Sequence, residues 1–413
     1  MSPELELVTT GAELLNGGVV NGHARWLGAA LHDLGWTLRR DTTVPDDSAA
    51  IRDALVEASR RCAVVIVTGG LGPTTDDVTR EVAAEWLGAK LIMHEPSRRH
   101  VVEAYRRRNK PLNAMVERHA LVVEGAGVLE NRHGLAPGEH LEREGRHVFL
   151  LPGPPREFQG VMRDHVLPWL EALGVARSGR RAVFQVSGMG ESDIAAALNA
   201  RGFAELALEV AYCAMPARVT VRLSEQPGAE SDFDQGVALV RDVLGRAVYS
   251  EQDETVEETV FQQLRARAAT VAVAESCTGG MIGERITALP GSSAVFCGGV
   301  IAYANEVKVS VLGVDAATLA AEGAVSAAVA RGMAEGVRER LRADYGVAVT
   351  GIAGPDGGTP EKPVGLVFIA VAGPEGTEVD ELRLGGGRGI IREASATLAL
   401  DLLRRRLGYS SRR

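Results

Sequence analysis

The stretch Ala274-Glu275-Ser276-Cys277-Thr278-Gly279-Gly280 sets a hydroxyl and a thiol side by side among small residues. Two readings of it stand. One is a Ser/Thr helix cap with a glycine turn. The other lifts the Ser276 hydroxyl to the exposed end of a sheet. Backbone N–H groups at the following helix start are then free to receive an anion or an oxyanion. A serine becomes a nucleophile only beside a base. All nine histidines lie between His23 and His165, so the last third of the chain has none. The lysines are Lys90, Lys110, Lys308 and Lys362. Lys362 stands between Glu361 and Pro363 in a loop that reads as exposed, which leaves Lys308 as the better base. Lys308 can serve only where burial or a neighbouring cation lowers its pKa. A cysteine hydrolase usually draws its thiolate from a histidine, so Cys277 is expected to pack against the sheet instead. Arg388, in Gly385-Gly386-Gly387-Arg388, suits a phosphate.

A second chemical stretch is Thr68-Gly69-Gly70-Leu71-Gly72-Pro73-Thr74-Thr75-Asp76-Asp77. Glycines let backbone amides approach phosphate oxygens. Thr74 and Thr75 add hydroxyl donors. Asp76 and Asp77 would repel a phosphate unless a divalent cation lies between them. The plainer alternative is a Gly-Pro turn before an Asp-capped helix. No Gly-Lys-Ser/Thr follows, so the stretch is not a P-loop, and it is not a dinucleotide fingerprint.

These stretches need strands to position them. Val271 to Val273 reads as a buried strand before Ser276, and Ala63-Val64-Val65-Ile66-Val67 as a buried parallel strand before Gly69. Leu5 to Thr9 is a first strand, followed by the loop Gly11 to Gly17 and a helix from about Asn21. Strands alternate with helices over residues 1–170, which implies an α/β fold with a mainly parallel sheet. Ligands of such sheets bind at the carboxyl ends of strands. Gly174 to Gly179 reads as a linker, and 171–250 as a small β-α-β-β-α unit. Residues 181–250 of that unit have nine Asp/Glu against six Arg, and its loop Ser187-Gly188-Met189-Gly190 lacks basic residues. It is therefore a structural or dimerising spacer rather than an RNA clamp. In 251–413, strands before Ser276, Tyr303 and Thr350 would bring those ends, with Lys308 and Arg388, to one edge of a sheet.

The totals exclude other classes. A net charge of −9 argues against nucleic-acid binding by bulk electrostatics. No stretch approaches a membrane span, and no signal peptide opens the chain. Four scattered cysteines fit a reducing cytoplasm.

The motifs together resemble the CinA family. Thr68 to Asp77 resembles its molybdopterin-binding-like signature, and Gly11 to Leu15 with Asn21, Asn131 with Ala136 to Gly138, and Leu151 to Pro155 with Glu157 match its other loops. The resemblance implies a MoaB/MogA-like α/β domain over 1–170 and a KH-like α+β domain over 171–250. A C-terminal α/β domain of the nicotinamide mononucleotide deamidase type would cover 251–413. It implies hydrolysis of the ADP-ribose pyrophosphate with a divalent metal (Mg, Mn or Co) on Asp76 and Asp77. It also implies cofactor-free deamidation of nicotinamide mononucleotide by a Ser/Lys centre. Ser276 is then the nucleophile, Lys308 the base and Tyr303 a relay or positioning residue. Substrate contacts fall to Thr278, Gly279, Gly280, Thr350 and Gly351, with Arg388 or Arg392 on the phosphate. In the first domain they fall to Glu13, Asn21, Gly69, Gly70, Pro73, Thr74 and Thr75. The resemblance further implies a homodimer. The rival functions are a non-catalytic competence- or damage-linked nucleotide-binding protein and a molybdopterin-handling enzyme.

Overall fold

The computed structural model describes residues 3–32, 34–174 and 179–409. The greater part of the expected linker, 175–178, lies outside the described residues. Two compact units divide the chain, Met1–Ser178 and Gly179–Arg413.

The first unit is built on strands β1 (Glu4–Thr10), β2 (Thr37–Val44), β3 (Val64–Thr68), β4 (Leu91–Met93), β5 (Leu121–Val123), β6 (Gly127–Leu129), β7 (Gly138–Arg143) and β8 (Arg146–Leu151). Its main sheet has the order β2-β1-β3-β8-β7-β6. The first four strands run parallel, and β7 and β6 are antiparallel. β4 and β5 form a separate antiparallel ribbon. Alternate residues serve opposite faces. Val8, Val65 and Val67 pack under the helices Ser48–Arg61 and Thr79–Leu87. Leu5, Leu7 and Ile66 pack under His23–His32 and the helices from Pro155 to Ala172. Both faces are covered, which is why β3 reads as an unbroken apolar run.

A buried ion pair fastens the Gly-rich loop to this scaffold. Arg80 Nε donates to Glu139 Oε1 at 2.7 Å, with both side chains nearly inaccessible. Arg80 Nη1 also donates to Leu71 O at 2.8 Å, and Glu139 Oε2 accepts from Val123 N at 2.7 Å. Removing one partner leaves a buried charge without compensation. Arg80→Leu is expected to cost about 3–5 kcal/mol, read as an early thermal transition of this unit.

The second unit holds two sheets with separate cores. Strands β9 (Arg181–Ser187), β10 (Leu208–Met215), β11 (Arg218–Glu225) and β12 (Val248–Ser250) form an antiparallel sheet in the order β10-β11-β9-β12. Helices Glu191–Asn199 and Glu230–Leu244 cover it. The β-α-β-β-α order expected from the sequence is present, with β12 as an added edge strand.

Strands β13 (Val271–Glu275), β14 (Phe296–Ile301), β15 (Tyr345–Gly351), β16 (Leu366–Gly373) and β17 (Gly376–Arg383) form the other sheet, in the order β14-β13-β15-β16-β17. β14, β13 and β15 are parallel, so their carboxyl ends share one edge. One face carries Val271, Val273, Val347, Val349 and Ile369 against the helices Val256–Ala266 and Arg388–Tyr409. The other carries Ala272, Ala274, Ala348, Ala370 and Ala372 against Ala327–Arg340. Small residues let that helix lie close. A Cβ on Gly346 would meet Ala334 O at 2.1 Å.

Candidate active sites

In the second unit the strand register assembles the site. Ala302 N donates to Glu275 O, so the end of β14 lies beside the end of β13. The chain then enters the short helix Asn305–Ser310, which returns Lys308 toward Ser276. Lys308 is 1% exposed, and its Nζ lies 3.3 Å from Ser276 Oγ. Nζ also donates to Ala302 O at 2.7 Å and Tyr303 O at 3.2 Å. Burial pushes the Lys308 pKa down, against smaller opposing effects of Cys277 and Glu306. A neutral amine has two N–H donors and one lone pair. In that form the two carbonyls take the donors and the lone pair is left for the Ser276 hydroxyl, whereas the protonated amine donates to Ser276 Oγ as well.

Around this pair the expected residues divide. Tyr303 is 61% exposed, and its hydroxyl accepts from Arg388 Nη2 at 3.2 Å. Arg388 Nη1 donates to Gly354 O at 2.8 Å. Ser276, Lys308, Tyr303 and Arg388 therefore form one connected set. Arg392 turns elsewhere, donating from Nε to Cys277 O at 3.1 Å and from Nη2 to Thr278 O at 2.8 Å. The Thr350 hydroxyl donates to Ala324 O at 2.7 Å, which ties it to the backbone. Gly351 lies against Val367, where a Cβ would stand 2.6 Å from Cγ2. Thr278 is fully buried, and its hydroxyl has no partner among the described residues. Gly279 and Gly280 complete the turn. Gly280 has φ +97°, a conformation that favours glycine.

Two expectations need correction. The helix start is not a free anion site. The Glu275 carboxylate, itself 1% exposed, accepts from Gly280 N, Ile282 N and Gly283 N. The sequence gives no sign of this, because an acid before a serine reads only as polar. Lys362 is not loose in an exposed loop. It is half-buried, and its Nζ donates to Glu322 O and Val325 O. His94, His119, His133, His140, His147 and His165 are partly exposed, and His100 is exposed.

Cys277 is 6% exposed within the apolar core, and burial pushes its thiol up to about 11. A thiol held neutral there is a poor nucleophile. Cys277→Ala is expected to keep most of any hydrolytic activity at this turn, measured as product release at saturating substrate.

In the first unit the carboxyl ends of the adjacent strands β1 and β3 open a cleft of about 510 Å³. It is lined by Gly11, Glu13, Asn21, Gly69, Gly70, Asp76 and Asp77 among others. Pro73, Thr74 and Thr75 lie on the outer part of the same loop, beyond the lining residues. Asp77 Oδ2 accepts from the amide and hydroxyl of Thr74. Asn21 Nδ2 reaches Thr9, Asp41 and Thr43 at 3.3–3.4 Å, so it braces β1 to β2 as well as lining the cleft. The cleft also holds residues that the sequence does not mark out, namely Asp46, His23 and His119. Burial, with Arg80 nearby, lowers the His119 pKa to about 4. No group of three or more His, Cys, Asp or Glu able to hold a metal occurs among the described residues. Asp76 and Asp77 thus fit a cation only as one shared with ligand phosphates, which hard cations accept.

Comparison with known proteins agrees with this layout. The family model "CinA C-terminal domain" matches residues 253–407, and "Probable molybdopterin binding domain" matches 6–172. A competence-damage inducible protein of Acetivibrio thermocellus is 42% identical over 97% of this chain and 98% of its own. A CinA-like protein of Gemmatimonas aurantiaca is 42% identical over 97% and 96%. The solved competence/damage inducible protein CihA from Agrobacterium tumefaciens is 43% identical over 37% of this chain and 93% of its own, at a TM-score of 0.36. No helix among the described residues is long and apolar enough to cross a membrane.

Proposed function

The chain belongs to the CinA family, and from that premise we propose that it is a bifunctional hydrolase of pyridine nucleotides. The functional division is 1–170, 171–250 and 251–413. The last part deamidates nicotinamide mononucleotide to the nicotinate form and ammonia. The observation that carries this reading is the buried Lys308 amine within 3.3 Å of Ser276 Oγ. Ser276 Oγ bonds to the carboxamide carbon as its proton passes to Lys308 Nζ. The C–N bond then breaks, and ammonia leaves with that proton. Water attacks the acyl ester, giving its proton to Nζ, and the carboxylate product leaves as Ser276 regains a proton. The pair Arg388 and Tyr303 faces solvent beside Ser276 and suits the nucleotide phosphate.

The first part hydrolyses the pyrophosphate of ADP-ribose. Asp76 and Asp77 would hold a divalent cation shared with the two phosphates, and when bound it neutralises their charge. The Gly69-Gly70 turn, whose Gly69 amide is taken by Leu151 O, and the neutral His119 line the space the phosphates would fill. The homodimer implied by the resemblance belongs to this proposal. The match of 6–172 to a molybdopterin-binding model supports a second reading, in which the same cleft takes a pterin. Three measurements on the full chain separate them: ammonia release from nicotinamide mononucleotide, adenosine monophosphate release from ADP-ribose, and pterin binding. Pterin binding without either hydrolysis would overturn the bifunctional reading.

A further inference from the structure

The turn carrying Ser276 is held from both sides. Inside, the buried Glu275 carboxylate accepts from Gly280 N at 2.9 Å, Ile282 N at 3.1 Å and Gly283 N at 2.9 Å. Outside, the Arg392 guanidinium takes the carbonyls of Cys277 and Thr278. A trans peptide is planar, so a carbonyl fixed to one side turns the next N–H to the other. Holding Cys277 O therefore aims the Thr278 N–H away from Arg392. Other amides of the turn are occupied. Ser276 N donates to Val349 O and Gly279 N to Ser276 O. The Thr278 amide has no acceptor among the described residues, and the Cys277 amide meets only its own thiol. Beside them lies the unpartnered, fully buried Thr278 hydroxyl.

We infer that Arg392, with Glu275, is a positioning residue that presents the Cys277 and Thr278 N–H groups as an oxyanion hole for Ser276, and is not a phosphate ligand. This rests on reading Ser276 as an amidohydrolase nucleophile. Both N–H groups follow the nucleophile directly, so they lie where charge develops on a carbonyl oxygen under attack. A cation on the two carbonyls also polarises the turn's peptide groups. Arg388 lies one turn earlier on the same helix and engages Gly354 and Tyr303 instead, which leaves it for the phosphate.

The test uses two readouts on the full chain. One is kcat and KM for ammonia release from nicotinamide mononucleotide. The other is the rate of Ser276 labelling by an alkyl fluorophosphonate. In labelling, an Oγ–P bond forms, the P–F bond breaks, fluoride leaves with the electron pair, and the proton goes to Lys308. The phosphoryl oxygen takes the oxyanion position, and no nucleotide phosphate is involved. Arg392→Gln is expected to lower both kcat and the labelling rate by about 10²-fold, the cost of a misplaced reacting group, with KM within about twofold. Arg392→Lys, which keeps the cation and one bond, is expected to fall between. It carries the test if Arg392→Gln does not fold. A raised KM with wild-type labelling would make Arg392 a phosphate ligand and overturn the inference alone. A wild-type chain that neither labels at Ser276 nor releases ammonia would overturn the nucleophile reading, and the inference with it.

Discussion

Ser276→Ala and Lys308→Ala are each expected to abolish ammonia release from nicotinamide mononucleotide. Positioned general bases contribute about 10²–10⁴-fold, and loss of the nucleophile removes the covalent route altogether. The case for Lys308 is its hydrogen-bond inventory. Ala302 O and Tyr303 O accept from the amine, and Ser276 Oγ is its third neighbour. Lys308→Arg is expected to stay inactive, because a guanidinium has no lone pair to accept a proton. Activity should rise with pH as the amine loses its proton and then level off, at a point below the ordinary lysine value of 10.5. The same lowering has a cost in stability. Between the lowered folded pKa and 10.5 the unfolded chain binds a proton that the folded chain does not. Stability therefore rises with pH across that window. Lys308→Met should flatten this rise and raise the thermal midpoint at neutral pH while remaining inactive. A Lys308→Met chain that is less stable than wild type at pH 7 would show that the amine is not held at a cost.

A comparable loss is expected from Asp77→Ala, from Asp76→Ala, or from excess chelator, this time in ADP-ribose hydrolysis. The paired phosphates bring negative charge into a cleft that already holds Glu13, Asp46, Asp76 and Asp77. Like charges gathered in one cleft repel, and the added phosphates increase that repulsion. A cation shared between the carboxylates and the ligand removes the conflict. Deamidation should survive every one of these changes, since Ser276 and Lys308 belong to the other compact unit. Undiminished hydrolysis in excess chelator would sink the metal assignment.

What the sequence disclosed depended on how local the signal was. β3 and β13 are covered on both faces, so each reads as an apolar run. The loops after them carry their chemistry in consecutive residues. Lys308 stood out by elimination, since no histidine lies beyond His165. Contacts made across long separations were not legible. Arg80 meets Glu139 from 59 positions away. Arg392 meets Cys277 from 115 positions away, so residue type alone left it interchangeable with Arg388. Glu275 was hidden for a different reason. Its acceptors' partners are backbone amides, which every residue has. Ring contacts are likewise made across the fold, as where His140 stacks on Phe149 at 4.3 Å and His23 seats against Phe158.

The alanine face of the last sheet governs where mutational drift can be tolerated. On the valine face, branched side chains of similar volume can exchange at small cost. On the alanine face there is no such slack. A Cβ on Gly336 would stand 1.9 Å from Leu312 O, and Leu312 packs in the same core as Ala272 and Ala274. Leu312 lies four residues beyond Lys308, and Val314 N donates to Lys308 O. Enlarging Ala272 or Ala348 would cost about 1–3 kcal/mol by overpacking, and part of that strain would reach the helix carrying the amine. Neutral-looking substitutions beneath the sheet would then surface as lost turnover before they surface as lost fold.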